Sequence, residues 1–196
     1  LGIVEEFFHT FANQIQTKAV WIFILLIPFT AGFIWLLKKR RTKFRVLNAK
    51  TIAVCVVFGG YMGALFALTL SGREIGSAKK SFEWEPLWSY REAIFEGSRP
   101  LGIEIVSNIL LFVPFGILMP IFFRSYEKVK AIVKAAAFLS LAIEVFQGIT
   151  AIGLFEIDDV INNVLGTLIG IWVWNVGRDF MTGKHRKDGE FKLYDK

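Results

Sequence analysis

The sequence is poor in the residues that build cross-links and metal clusters. It holds one cysteine, Cys55, and two histidines, His9 and His185, in 196 residues. A lone thiol can form neither an intrachain disulfide nor a cysteine-based metal cluster. Cys55 lies inside an apolar run, where it reads as a small buried hydrophobe. The topology derived below puts the two histidines on opposite sides of a membrane, which excludes a shared zinc site. The chain also lacks any motif of a nucleic-acid-binding module, although its net charge is +6. No nucleophile stands beside an evident base. The first apolar run begins late and lacks a small-residue cleavage pattern, so no signal peptide is evident in it.

What the chain has in excess is apolar residues, 54% of the total, gathered into long runs. A soluble core of this size would break them into amphipathic stripes. About 20 apolar residues at a rise of about 1.5 Å each cross the hydrocarbon of a bilayer. Five segments meet that length: Ala19–Leu37, Thr51–Leu70, Glu104–Phe123, Ala131–Thr150 and Ile157–Val176. The expected fold is an all-α integral membrane protein, a bundle of about five transmembrane helices with interfacial helices on the outer face.

The positive charge serves as a topology signal. Lys38, Lys39, Arg40, Arg41, Lys43, Arg45 and Lys50 follow the first span. Arg124, Lys128, Lys130 and Lys134 follow the third, and Arg178, Lys184, Arg186, Lys187, Lys192 and Lys196 follow the fifth. Lys18, Arg73, Lys79, Lys80, Arg91 and Arg99 are the only basic residues left for the other side. Basic loops stay cytoplasmic, so the N-terminus is expected outside and the C-terminus inside, in a multi-pass protein of the cell membrane. Residues 1–18 form an outer amphipathic helix, with Ile3, Val4, Phe7, Phe8, Phe11 and Ile15 on its apolar face. Residues 19–177 form one five-helix domain, and residues 178–196 a basic cytoplasmic tail. In the long outer loop, Pro86 suits the first turn of a second interfacial helix and Gly97 its end. That helix and its flank would set Trp84, Trp88, Tyr90 and Phe95 at headgroup depth, as an aromatic belt or as a lid over a site. Gly59, Gly63 and Ala67, and then Gly166 and Gly170, recur at the spacing that lets helix backbones approach closely.

Ionisable groups inside an apolar helix are costly unless paired or hydrated, so their depth is informative. Running inward, Asn108 lies about 6 Å below Glu104. Running outward, Glu144 lies about 9 Å below Thr150, one turn from Gln147. Asp158, Asp159, Asn162 and Asn163 crowd the first turns of the fifth span. Three segments thus bring polar groups to one depth just under the outer surface, which points to one shared site. Asp158 and Asp159 also suit the positive end of their own helix, and the asparagines also suit interhelical hydrogen bonding. Glu144 has the weakest packing explanation and is the candidate acid or base. Asp158 and Asp159 are candidate ligands for a divalent cation, Mg²⁺ or Ca²⁺, both of which prefer oxygen. Pro114 and Pro120 are expected to kink the third span.

The run Ser107-Asn108-Ile109-Leu110-Leu111-Phe112-Val113-Pro114-Phe115-Gly116 with Pro120 resembles the signature of the VanZ-like family. Ile143-Glu144-Val145-Phe146-Gln147 resembles that family's next motif. Glu156-Ile157-Asp158-Asp159-Val160-Ile161-Asn162, followed by Gly166, resembles its third, and Glu85-Pro86-Leu87 its short motif before a helix. The resemblance covers residues 83–170 and is carried by the motifs in order. Family members often place an arginine shortly before the paired aspartates. Gly153 and Leu154 stand there in this chain, leaving Arg91 or Arg99 as the candidate replacement. The resemblance implies low-level resistance to teicoplanin-type glycopeptides in Gram-positive bacteria, and no known reaction. The site implied for it is Asn108, Glu144, Gln147, Asp158, Asp159 and Asn162. Its expected partners are membrane lipids, and a lipid-linked envelope precursor or a lipopeptide-like antibiotic. The competing readings are an intramembrane enzyme acting on an envelope lipid, and a structural subunit whose polar groups join helices.

Overall fold

The computed structural model describes residues 5, 13, 24–32, 34–35, 49–70, 82–122 and 129–182. Its contacts divide the chain into two compact units, Leu1–Ile75 and Gly76–Lys196. The expected outer helix at residues 1–18 falls outside the described residues except for Glu5 and Asn13.

In the first unit, helical residues 24–32 pack against α1, Ala49–Leu70. The approach is close because Gly59 has no side chain: a Cβ there would run into the side chain and backbone of Thr30. One level away, the rings of Phe29 and Phe66 stack with centroids 5.0 Å apart. The small residues of α1 therefore form a contact face, as their spacing suggests.

The second unit runs β1 (Phe82–Glu83), α2 (Trp88–Phe95), α3 (Arg99–Phe122), α4 (Val129–Thr150), β2 (Phe155–Glu156) and α5 (Ile157–Thr182). Its most extensive packing joins α3 to α5. Glycine makes this possible. A Cβ on Gly166 would strike the carbonyl of Ile109, and one on Gly170 would strike that of Val113. From the opposite side, a Cβ on Gly116 would strike the Thr167 carbonyl. The two backbones thus touch over two turns, which no larger residue would allow. Helix α3 continues from Arg99 to Phe122 through both Pro114 and Pro120. Each proline leaves the carbonyl four residues earlier without its intrahelical donor, yet neither ends the helix. Pro100 sits in the first turn, where the missing N–H costs nothing.

Ile52–Leu70, Arg99–Pro120 and Ile157–Met181 are long and apolar enough to cross a membrane. The fourth expected segment is the 22-residue helix α4, which carries Lys134 and Glu144. The first expected span, Ala19–Leu37, lies partly outside the described residues. Helix α5 extends beyond the expected end at Val176 to Thr182, so Arg178 is helical and pairs with its neighbour Asp179 at 2.9 Å.

A short feature was not expected. The two-residue strands β1 and β2 pair in parallel, with Phe82 opposite Phe155 and Glu83 opposite Glu156. Phe155 is buried, and the Trp84 ring lies 4.5 Å from it. Gly148, near the end of α4, makes room for this cluster: a Cβ there would come within 3.0 Å of the Phe82 ring. The strand pair ties the chain just before α2 to the chain just before α5, and so sets where both helices begin.

Candidate functional site

Asp158 is the best-defined polar residue at this end of the unit. It is 2% exposed and stands in the first turn of α5. Its carboxylate turns toward the start of α2. Oδ1 accepts the backbone N–H of Leu87 at 2.6 Å, and Oδ2 accepts the N–H of Ser89 at 2.9 Å and the Ser89 hydroxyl at 2.7 Å. The first N–H groups of a helix have no partner within it, and a carboxylate placed there also meets the positive end of the helix dipole. Asp158 therefore caps α2 from a different part of the chain.

The local conformation of α2 suits this cap. Glu85 to Trp88 form a turn closed by the Trp88 N–H on the Glu85 carbonyl at 3.3 Å. Pro86 is the second residue of that turn, outside the helix rather than in its first turn as expected. Leu87 takes φ 66° and ψ 17°, a left-handed conformation that costs a branched residue energy. Holding Leu87 there aims its N–H at Asp158. Gly97 closes the other end at φ 68°, as its position in the sequence suggests. Arg91 pairs with Glu85 at 2.7 Å and lies 3.6 Å from Glu92, so it faces this turn and not the paired aspartates. At Asp158 the role expected of Arg91 or Arg99 toward the paired aspartates is filled by the Leu87 and Ser89 N–H groups and the Ser89 hydroxyl.

Tyr90, one residue on, donates its hydroxyl to Oδ1 of Asn162. Asn162 is fully buried. Burial first, and then the charges of Asp158 and Asp159, push the Tyr90 phenol up from its ordinary value, so it remains a donor. The aromatic residues expected as a belt thus divide. Trp84 and Phe95 are exposed, whereas Tyr90 turns inward to the site.

Helix α4 contributes Glu144 and Gln147, 3% and 6% exposed. Glu144 Oε2 accepts the backbone N–H of Glu156 at 3.1 Å, which braces β2 against α4. One turn below, the side-chain amide of Asn163 donates to the Ser140 hydroxyl at 2.7 Å. Asp159 is half-buried. It lies within electrostatic range of Glu144, Glu104 and Glu156, and the Asn108 side chain faces it from α3. Among the described residues no three His, Cys, Asp or Glu side chains are placed to hold a metal ion. Asp158 in particular directs both oxygens to α2.

All six expected site residues therefore belong to one end of the second unit, but in two sets. Asp158 and Asn162 hold α2. Asp159 lies against Asn108 and within electrostatic range of Glu144, and Gln147 lies one turn beyond Glu144. Ser89 and Tyr90 were not among the expected residues. A serine three residues after Pro86 is the trace they leave in the sequence, and it does not say which distant carboxylate they meet.

Apolar helices of membrane length, packed through glycines and closed at one end by buried carboxylates and amides, define an all-α membrane protein with a polar end. The chain belongs to the VanZ-like family: the family model described as VanZ/LLP1 matches residues 58–178. The match begins within α1, further upstream than the motifs reach. Over 83 residues the chain is 34% identical to "Protein VanZ" of Enterococcus faecium, covering 41% of this chain and 50% of that protein. The chain thus spans about half the length of this curated relative. No solved structure matches.

Proposed function

We propose that this chain contributes to low-level resistance to teicoplanin-type glycopeptides, through a polar site at the outer leaflet that binds or alters a lipid-linked envelope component. The observation that carries this reading is the meeting of all three family motifs at one end of one unit, under the short helix α2. The orientation that makes this end the outer one rests on the basic loops and on the positive-inside rule. An acylated glycopeptide acts at the membrane surface, where such a site would meet either the drug or its target.

A second reading has specific support. The Asp158 cap, the Glu144 brace and the Asn163–Ser140 bond all join elements of the fold, as a packing role requires. The two readings separate in one experiment. Wild-type protein, Glu144→Gln and Asp159→Asn are expressed in a susceptible Gram-positive host. Inhibitory concentrations of teicoplanin and vancomycin are then measured beside membrane abundance. The site reading expects a rise for teicoplanin that the variants lose at equal abundance. Loss of abundance in step with resistance favours packing. No rise from well-expressed wild-type protein removes the resistance role.

A further inference from the structure

Helix α2 is eight residues long and stands between two sharp bends. Leu87 precedes it at φ 66° and Gly97 follows it at φ 68°. Glycine takes that conformation freely, and leucine takes it at a cost. The far end of the helix is closed by its own chain: the Glu96 and Ser98 N–H groups both donate to the Glu92 carbonyl at 3.2 Å. At the near end Leu87 supplies no capping side chain. Four hydrogen bonds among the described residues tie that end to α5 instead. Asp158 accepts three, from the Leu87 and Ser89 N–H groups and the Ser89 hydroxyl, and Asn162 accepts the fourth from the Tyr90 hydroxyl.

These bonds cover what they hold. Asp158 and Asn162 lie in the first two turns of α5 and are buried, and the groups that meet them come from α2 and its leading turn. The closed arrangement carries two costs. Leu87 is strained, and Nδ2 of Asn162 is buried with no hydrogen-bond partner among the described residues, a state that buried donors rarely keep. Movement of α2 away from α5 relieves both, because the turn can relax and the amide can reach water. The four bonds oppose that movement, and bonds of this kind exchange for water at modest net change. Ile94 and Phe95 are apolar and exposed, so α2 can stay at the membrane surface after it leaves α5. Deeper along α5, backbone contact at Gly166 and Gly170 fixes the base on which α2 would move. A short element held by opposing costs on a rigid base is what a two-position device requires.

Resting on the site reading above, we infer that α2 is a lid over the polar end: the contacts to Asp158 and Asn162 hold it shut, and rotation about its Leu87 and Gly97 ends opens it and uncovers both side chains at the membrane surface. The lid moves as a helix, since the bonds that close its far end are its own. Opening changes the access to Asp158 and Asn162 and leaves the contact of α3 with α5 intact.

The test places spin labels on the full chain in lipid nanodiscs, at Ile94→Cys on α2 and Leu168→Cys on α5, both exposed positions, in a Cys55→Ala background. Double electron–electron resonance then reads the distance between them. One short distance is expected to dominate when the clasp is intact. Asp158→Asn should add a second, longer distance, raising the open-to-closed ratio by roughly thirtyfold, and Tyr90→Phe should raise it by roughly fivefold. The continuous-wave line shape at residue 94 should stay that of a helix in both. Tyr90→Phe decides the matter should Asp158→Asn fail to fold. A single unchanged distance in the clasp variants overturns the lid. A longer distance with a mobile line shape at residue 94 also overturns it, because α2 then melts and does not swing. Teicoplanin protection by a protein whose α2 never opens would sink the lid alone. An opening α2 in a protein that gives no protection would sink the resistance role alone.

Discussion

Helices α3 and α5 meet in two ways along their length. At Gly166 and Gly170 the backbones touch, and a single added carbon has nowhere to go. Two turns nearer the start of α5, the same pair of helices meets through polar groups, with the Asn108 side chain against Asp159. The first region is held by shape and dispersion, which act over a few tenths of an ångström and offer no alternative arrangement. The second is held by hydrogen bonds to α2 and β2, which can be exchanged for bonds to water or to a ligand at modest net change. The difference teaches that the seam secures the fold, while the polar end is the part able to respond.

The comparison is most easily broken at the seam. Gly166→Leu drives a side chain into the Ile109 carbonyl and should cost ~3 kcal/mol or more. Membrane abundance and thermal unfolding in detergent should both collapse, and normal levels would mean that the helices are not in backbone contact. Asp158→Asn should behave differently. It removes a charged acceptor from three donors and should loosen α2 by about 2 kcal/mol, with abundance retained. Hydrogen exchange across residues 88–95 should rise while α3 and α5 stay protected; uniform exchange across the unit would erase the distinction between the two regions.

Smaller changes sharpen the picture of α2. Tyr90→Phe deletes one hydroxyl and leaves Asn162 with a further unmet atom, for a loss of about 1 kcal/mol. Its signature is faster exchange in α2 alone, and an unchanged rate would remove Tyr90 from the clasp. Leu87→Gly should have the least effect. Glycine accepts a positive φ without strain, and the lost side chain is mostly exposed, so stability should change by no more than ~0.5 kcal/mol. A large loss of stability would show that the Leu87 side chain, and not its backbone, anchors the turn.

How much of this was legible depended on distance along the chain. The apolar spans and the small-residue faces follow from local periodicity, and α1, α3 and α5 lie where those patterns put them. The motif residues were expected together, and the structure places Asn108 against Asp159 with Glu144 within electrostatic range of it. The Asp158 cap was not, because Ser89 and Asp158 are 69 residues apart. Paired aspartates at a helix start read equally well as caps of their own helix. The parallel pairing of Phe82–Glu83 with Phe155–Glu156 was hidden for a simpler reason: two residues are too few to show an alternating pattern. Arg91 illustrates the opposite failure. Its sequence position allowed a partner among the aspartates, but Glu85, six residues away, was nearer.

By itself the sequence determined the solvent in which this protein folds and the segments that meet that solvent. Hydrophobic transfer depends on composition over a helix length, and composition is a local property. It also determined family membership, through three motifs in order. Only the tertiary structure decided what each polar group does. In a low-dielectric interior a carboxylate's role is set by the few donors within about 3 Å of it. That choice made Asp158 a clasp on α2 and Glu144 a brace on β2, and left Asp159 facing its neighbours.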